Sequence, residues 1–516
     1  MPRKPKAKDG LTARERVALY EEKQAQKRAM MSDGIEKSTE KAENVPPAPD
    51  SAAGAQVAPV KPKKTLPKPQ HATVRVDFGI HMGEIKPMHG MCNGPMSYGA
   101  DISDLFREIG VPSVRFSGTD TAISSLAVDV SRIFKDPAAD PHDAANYDFK
   151  CTDAYVTAAY NSGARVVFRL GESFDMSGLK TVSVPQDVDS WCEACVNIIK
   201  HYNDYWAGGY AFGIERFEIW GCEPAGDADR TASCELYRKL AGMIKLYDSS
   251  LKVGGMCFND GMAARDFIKF CRKNHAPLDF ITLSLFESDP VEISARIRAL
   301  VPTLINLGFN DTEIIIGEWA YVAKNVDLST NNAKDIMLGV KGQRDKRAKL
   351  FSEQSSIKGA AYALSTMLEL LSIEEVVSAH HYDAQPAITP WCSICDRFGS
   401  PTKAFYAFKM FGELYRAGNA VYCTSEQTEG YSHTGIYAAA ARASTGEAYV
   451  LISSFEGCGV VDVRLDSIPR ELYTAQIYIL DGVKNFSEGE SVQISGTQKR
   501  LLLNISEYGA VLVKLF

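Results

Sequence analysis

No apolar run in the 516 residues approaches the roughly 18 that a membrane-spanning helix needs. The basic opening MPRKPKAKDG is not followed by an apolar core, so no secretory leader is expected and the expected location is the cytoplasm. No segment recurs at a constant length. Positive charge is outnumbered by negative in the body of the chain. Residues 1–70 hold 15 Lys+Arg against 9 Asp+Glu, so the net −7 of the whole conceals +6 here and −13 in the remainder. A −13 body argues against nucleic acid as the partner of the folded part. Zinc-ribbon spacing is absent too. The 12 cysteines include two C-x-x-C pairs, Cys192/Cys195 and Cys392/Cys395, but almost two hundred residues lie between them. Buried free thiols in a reducing compartment are the expectation. No cofactor or metal is implied.

What is present divides into three textures. Residues 1–70 combine a helix-prone stretch, TARERVALYEEKQAQKRAM, with VPPAPDSAAGAQVAPVKPKKTLPKPQ, which is rich in Pro, Ala and Lys and cannot bury a core. A solvated basic tail is expected, with an anionic surface or polymer as its candidate partner. From about residue 71 to 415, short β-prone runs alternate with amphipathic stretches. The runs IKPMHG, PSVRFSG, ARVVFRLG, RFEIWG, LKVGGM, LDFITLSLF, TEIIIGEWA and VVSAHHYD are each followed by a helical pattern, apart from the last. Strand–helix alternation of this length predicts a (β/α)8 TIM barrel. Residues 416–516 instead read as short strands separated by Gly, Asp and Ser, an accessory β-sandwich. Residues 73–80 lack a following helix and are assigned to either the barrel or that sandwich.

In a (β/α)8 barrel the chemistry sits where strands end. Glu223 follows the fourth strand, in WGCEPAG, and Glu318 follows the seventh, in IIIGEWA. They are 95 positions apart, about three βα units at roughly 31 residues each. Two acids at nearly opposite strand ends can cleave a glycosidic bond, one as proton donor and the other as nucleophile. A carboxyl separation of ~5–5.5 Å would mean a retaining reaction. The alternative is that each is a strand-end acid held by an Arg or by backbone N–H groups. Pro224 restricts Glu223 to extended backbone, which helps aim its carboxyl.

The ordered set IKPMHGMCNGP, IGVPSVRFSG, RFEIWGCEP, YDSSLKVGG, LDFITLSLF and TEIIIGEWA resembles glycoside hydrolase family 39, over roughly residues 74–420. That resemblance implies Glu223 as acid/base and Glu318 as nucleophile. It implies Arg115 beside Glu318, with a structural barrel salt bridge as the alternative. Substrate contacts are implied for His89, Asn93, Cys222, Trp319, His381 and Tyr382. Trp319 reads as either a sugar platform or core packing, and one of His380, His381 and Tyr382 is expected to line the site. The chain also departs from the family. Cys222 stands where Asn is usual, Ser117 and Ser284 replace His, Phe286 replaces Tyr, and Cys92 occupies a position where Asn is common. A thiol is a weak hydrogen-bonding group, so these departures suggest an altered substrate. The expected activity is a retaining glycoside hydrolase acting on xylosides or a bacterial polysaccharide. A carbohydrate-binding protein without catalysis and a transglycosylase are the competitors.

Overall fold

A computed structural model describes residues 71–97, 100–117, 127–173, 184–220, 227–324, 326, 344–386, 391–426, 435–457, 459–468, 472–495 and 499–516. Eight parallel strands close into a barrel: Gly90–Cys92, Ser113–Arg115, Arg165–Leu170, Arg216–Ile219, Lys252–Phe258, Phe280–Glu287, Glu313–Tyr321 and Val376–His381. Each pairs with its neighbours in sequence, and the eighth pairs with the first through His380–Gly90 and His381–Met91. Both faces of these strands are covered, so they read as nearly continuous apolar runs. Asp187, Asp260 and Asp289 accept hydrogen bonds from Ser190, Met262 and Val291 backbone N–H groups, capping the helices Val188–Asn203, Gly261–Asn274 and Pro290–Arg298. Among the described residues, no helix is long and apolar enough to cross a membrane. Both C-x-x-C pairs are free and buried.

A second, mostly antiparallel sheet has nine strands, in the order Asn485–Ser495, Leu472–Leu480, Tyr508–Leu515, Ala448–Phe455, Ile436–Arg442, Asn419–Ser425, His71–Glu84, Val460–Asp466 and Arg500–Asn504. The strand His71–Glu84 therefore belongs to this sheet, antiparallel to Asn419–Ser425 and parallel to Val460–Asp466. The barrel begins only at Gly90. Val74 and Val76 share one core with Val421, Ile436, Ile452, Val463, Tyr473, Ile494, Leu503 and Val511, one from each of the other eight strands. The sheet thus folds over its own interior, as a sandwich does. The intervening residues Leu451, Phe455, Ala510 and Leu512 belong instead to the core shared with the barrel. There Phe455 meets Tyr362 of the barrel helix Ile357–Leu370 at 5.6 Å, edge to face. Ser365 donates to Ser453 across the same seam at 2.9 Å. Each large apolar side chain removed from water here contributes about 1.5–3 kcal/mol, so this seam holds the two sheets together.

Candidate active site

The seventh strand is not regular. Ile316 lies opposite Leu283 of the sixth strand, but Glu318 lies opposite the next residue, Ser284. On the other side, three steps from Ile316 to Trp319 match two from Ala379 to His381. One extra residue, a bulge at Gly317, is accommodated, and a bulge re-aims the side chains that follow it. Gly317 faces the barrel interior, where a Cβ would stand 2.2 Å from the Thr282 methyl and 3.0 Å from Arg115 Nε. Glu318, next in line, also turns inward, and Trp319 turns out. Replacing Gly317 by Ala should therefore push on Thr282 and Arg115 and displace the Glu318 carboxyl. A 1 Å misplacement can cost about 10²-fold in rate, and overpacking costs about 1–3 kcal/mol. Steady-state kinetics beside a urea unfolding curve would separate the two effects, and a variant matching the parent in both would show that the bulge does not aim Glu318.

Among the described residues, three groups donate to the Glu318 carboxyl. Arg115 Nη1 donates to Oε1 at 3.0 Å, the Ser117 hydroxyl donates to the same oxygen, and Ser284 Oγ donates to Oε2 at 3.1 Å. Both carboxyl oxygens are therefore engaged as acceptors. Arg115 does not act alone. Its Nε and Nη2 grip Glu218 of the fourth strand at 2.7 and 2.5 Å, in the side-on geometry favoured by guanidinium and carboxylate. Arg115 and Glu218 are both 0% exposed at the side chain, whereas Glu318 is 19% exposed. Burial alone would lower the Arg115 pKa, but Cys257, Glu218 and Glu318 around it raise it well above its ordinary value. The site is thus a fixed cation between a sealed carboxylate and an accessible one.

The surrounding residues hold this arrangement. Asn93, at φ 58° in the left-handed region, accepts from the Ser117 backbone N–H at 3.0 Å through its side chain. Its own N–H donates to the Arg115 carbonyl at 2.9 Å. The Cys92 thiol donates to the Gly317 carbonyl at 2.8 Å, and burial pushes its pKa up, which keeps it protonated. Two residues beyond Ser284, Phe286 meets Tyr382 at 5.8 Å and Trp391 at 5.3 Å, forming an aromatic cluster with Cys92 and Ala320.

Three expected substrate contacts lie elsewhere. Trp319 is fully buried against His381, 4.9 Å away and edge to face, and both pack on Phe408 of the helix Lys403–Ala417. The bulge sent Trp319 outward, and strand alternation sends His381 the same way. His89 lies against Phe411 and Tyr415 of that helix, with Nε2 3.1 Å from the Gly110 carbonyl. His380 does face the interior, but Ser113 and the Ile316 carbonyl occupy its two nitrogens. Burial pushes His89, His380 and His381 down to about 3, so all three are neutral. Glu223, Cys222 and Pro224 lie outside the described residues. The strand before them ends at Ile219, and just beyond it the Trp220 N–H donates to the Leu170 carbonyl at 2.9 Å.

Glu218 and Trp391 are not among the residues that the sequence singles out. Trp391 had no signal. Glu218 had one: an acid inside the apolar run Phe217–Trp220, a position where a charge cannot be buried without a partner.

No family model matches the chain. The beta-xylosidase of Geobacillus stearothermophilus is 29% identical over 119 residues, 21% of this chain and 22% of that enzyme. The match thus spans only about a fifth of that relative's length. Solved structures match over much more. A glucosidase from Croceicoccus marinus has a TM-score of 0.69 at 19% identity, over 86% of this chain and 98% of that one. The GH39 enzyme from Xanthomonas axonopodis pv. citri has a TM-score of 0.61 at 15% identity, over 89% and 99%. A monomeric beta-xylosidase from Caulobacter crescentus has 0.60 at 14%, over 86% and 99%. A barrel with an accessory β domain is the fold this chain has in common with these glycosidases, and the likeness to glycoside hydrolase family 39 carried by its strand ends extends to its three-dimensional architecture.

Proposed function

We propose that this chain is a retaining glycoside hydrolase in which Glu318 is the nucleophile and Glu223 the acid/base. The observation that carries the reading is the Glu318 carboxyl, partly exposed in the C-terminal half of the seventh barrel strand and held by Arg115, Ser117 and Ser284. Both oxygens are held, so the carboxylate is oriented before substrate arrives. Such preorganisation avoids rearrangement during the reaction. In the first step a Glu318 oxygen attacks the anomeric carbon while Glu223 protonates the departing oxygen. In the second, Glu223 takes a proton from water, which releases the sugar from Glu318. Arg115 balances the nucleophile's charge, and Glu218 keeps Arg115 in place. Neither Ser117 nor Ser284 brings the bulk or charge of a histidine, which supports contacts to the glycone that differ from those of the usual family members. Xylosides and bacterial polysaccharides remain the substrate classes to try first, and the glycosidase neighbours support that choice.

A panel of aryl glycosides, with Glu223→Gln and Glu318→Gln as controls, tests the reading. The position of Glu223 is tested more sharply by Glu223→Ala. Substrates with poor leaving groups should slow by roughly 10²–10⁴-fold, the usual worth of general acid catalysis. An activated aryl glycoside needs little protonation, so its first step should survive and release a burst of phenol. Equal losses on both kinds of leaving group would remove Glu223 from the acid/base role. Sugar binding without turnover of any glycoside, unchanged in both Gln variants, would favour a binding protein on this barrel.

A further inference from the structure

A cavity of about 730 Å³ opens at the end of the barrel opposite Glu318. Ser113, Arg165 and Arg216, the first residues of the second, third and fourth strands, stand in its wall. Its inner end reaches Val167, the register partner of Arg115. Cavities of roughly 300–1,000 Å³ with apolar walls and a few convergent polar groups are the usual shape of small-molecule sites.

The polar groups in this cavity are unbalanced. Arg165 and Arg216 approach Glu215 only loosely, at 3.7 and 3.5 Å. The opposite side of Arg216 is held by Glu313 at 3.0 Å, and Lys252 also binds Glu313. Among the residues that line the cavity, two arginines therefore face one carboxylate, an excess of one positive charge, while Lys252 and Glu313 lie behind the wall and offset each other. The excess is set against a body of net −13, so composition does not account for it. Arg165 is 79% exposed at the side chain and Glu215 59%, so both can meet a ligand. Beside them Tyr160 is 47% exposed and stacks on Phe212 at 4.3 Å, presenting a flat aromatic face that its neighbour keeps from turning.

We infer that this cavity binds a sugar ring bearing one negative charge, as a carboxylate or a phosphate. Tyr160 offers its face to the apolar C–H side of the ring. The Arg165 guanidinium offers the paired donors that suit a carboxylate or phosphate. Glu215, bound tightly by neither arginine, accepts from ring hydroxyls. A flat aromatic acid would satisfy the first two groups but not the third. This site is separate from the proposed hydrolytic centre and does not depend on the hydrolase reading.

Titration calorimetry of the full chain with D-glucuronate, D-glucose 6-phosphate, D-glucose and inorganic phosphate tests the inference. One or both charged sugars should bind at a single site, at least about tenfold tighter than glucose or phosphate, a difference of about 1.4 kcal/mol. Binding should weaken as salt is raised. Arg165→Gln and Tyr160→Ala should each weaken it by about tenfold or more while leaving any glycoside turnover unchanged. Arg165 is exposed enough for the first variant to fold. Glucuronate binding alone would identify the carboxylate as the recognised anion, and glucose 6-phosphate alone the phosphate. Glucose binding equally well would overturn the charge argument, and inorganic phosphate binding equally well the ring argument. Saturable binding by none of the four, or binding that neither substitution changes, would overturn the site.

Discussion

Glu318→Gly is expected to abolish hydrolysis of aryl glycosides, with a loss on the order of 10⁶-fold, the scale seen when a covalent nucleophile is removed. Without that carboxylate no glycosyl-enzyme can form, and Arg115, Ser117 and Ser284 are left facing empty space. Those same groups make the space suited to a small anion. Azide should therefore enter it, attack the anomeric carbon of an activated substrate, and restore turnover. The product should be the glycosyl azide of inverted configuration, since one displacement replaces two. Product stereochemistry by NMR is the deciding measurement. A Glu318→Gly protein with parental rates on a confirmed substrate would show that the nucleophile lies elsewhere. A glycosyl azide of retained configuration would mean that a second carboxylate had taken over.

The second large effect is expected at Glu218. Both it and Arg115 are fully buried and joined by two short hydrogen bonds. Removing one partner of such a pair leaves an uncompensated charge and costs about 3–5 kcal/mol. Glu218→Ala should thus lose stability on that scale in urea unfolding, and with it the alignment of Glu318. The double change Arg115→Met with Glu218→Leu distinguishes stability from chemistry. An apolar pair of similar volume often matches or exceeds a buried ion pair in stability, so the double variant should unfold close to the parent. Its hydrolysis should remain low, because Glu318 has lost its cation. Full activity in the double variant would show Arg115 to be a structural salt bridge alone. A Glu218→Ala change within about 0.5 kcal/mol of the parent, the scale of ordinary surface substitutions, would mean that Arg115 is satisfied by Glu318 without its second carboxylate.

Much of this architecture is legible in the linear chain. Eight β-prone runs alternating with amphipathic stretches have few ways to bury both faces, and the closed parallel barrel is the solution found. The short strands after residue 416 likewise lead to a β domain. Arg115, Glu218 and Glu318 all occur in the C-terminal halves of their strands, where the barrel collects side chains from distant segments. What only the tertiary structure decided is which way those side chains point and what they meet. Alternation assigns faces correctly only while the strand is regular, and the bulge at Gly317 shifts the count by one. That single residue puts Glu318 into the barrel and buries Trp319 against His381 and Phe408. The grip of Glu218 on Arg115 joins residues 103 positions apart, and no local pattern encodes so distant a partner. The strand His71–Glu84 shows the same limit, since its pairing partners begin at Asn419 and Val460. Periodicity reports how much of a segment is buried, because burial is a property of the segment; register and pairing depend on two segments together, and closure of the barrel brings them into contact.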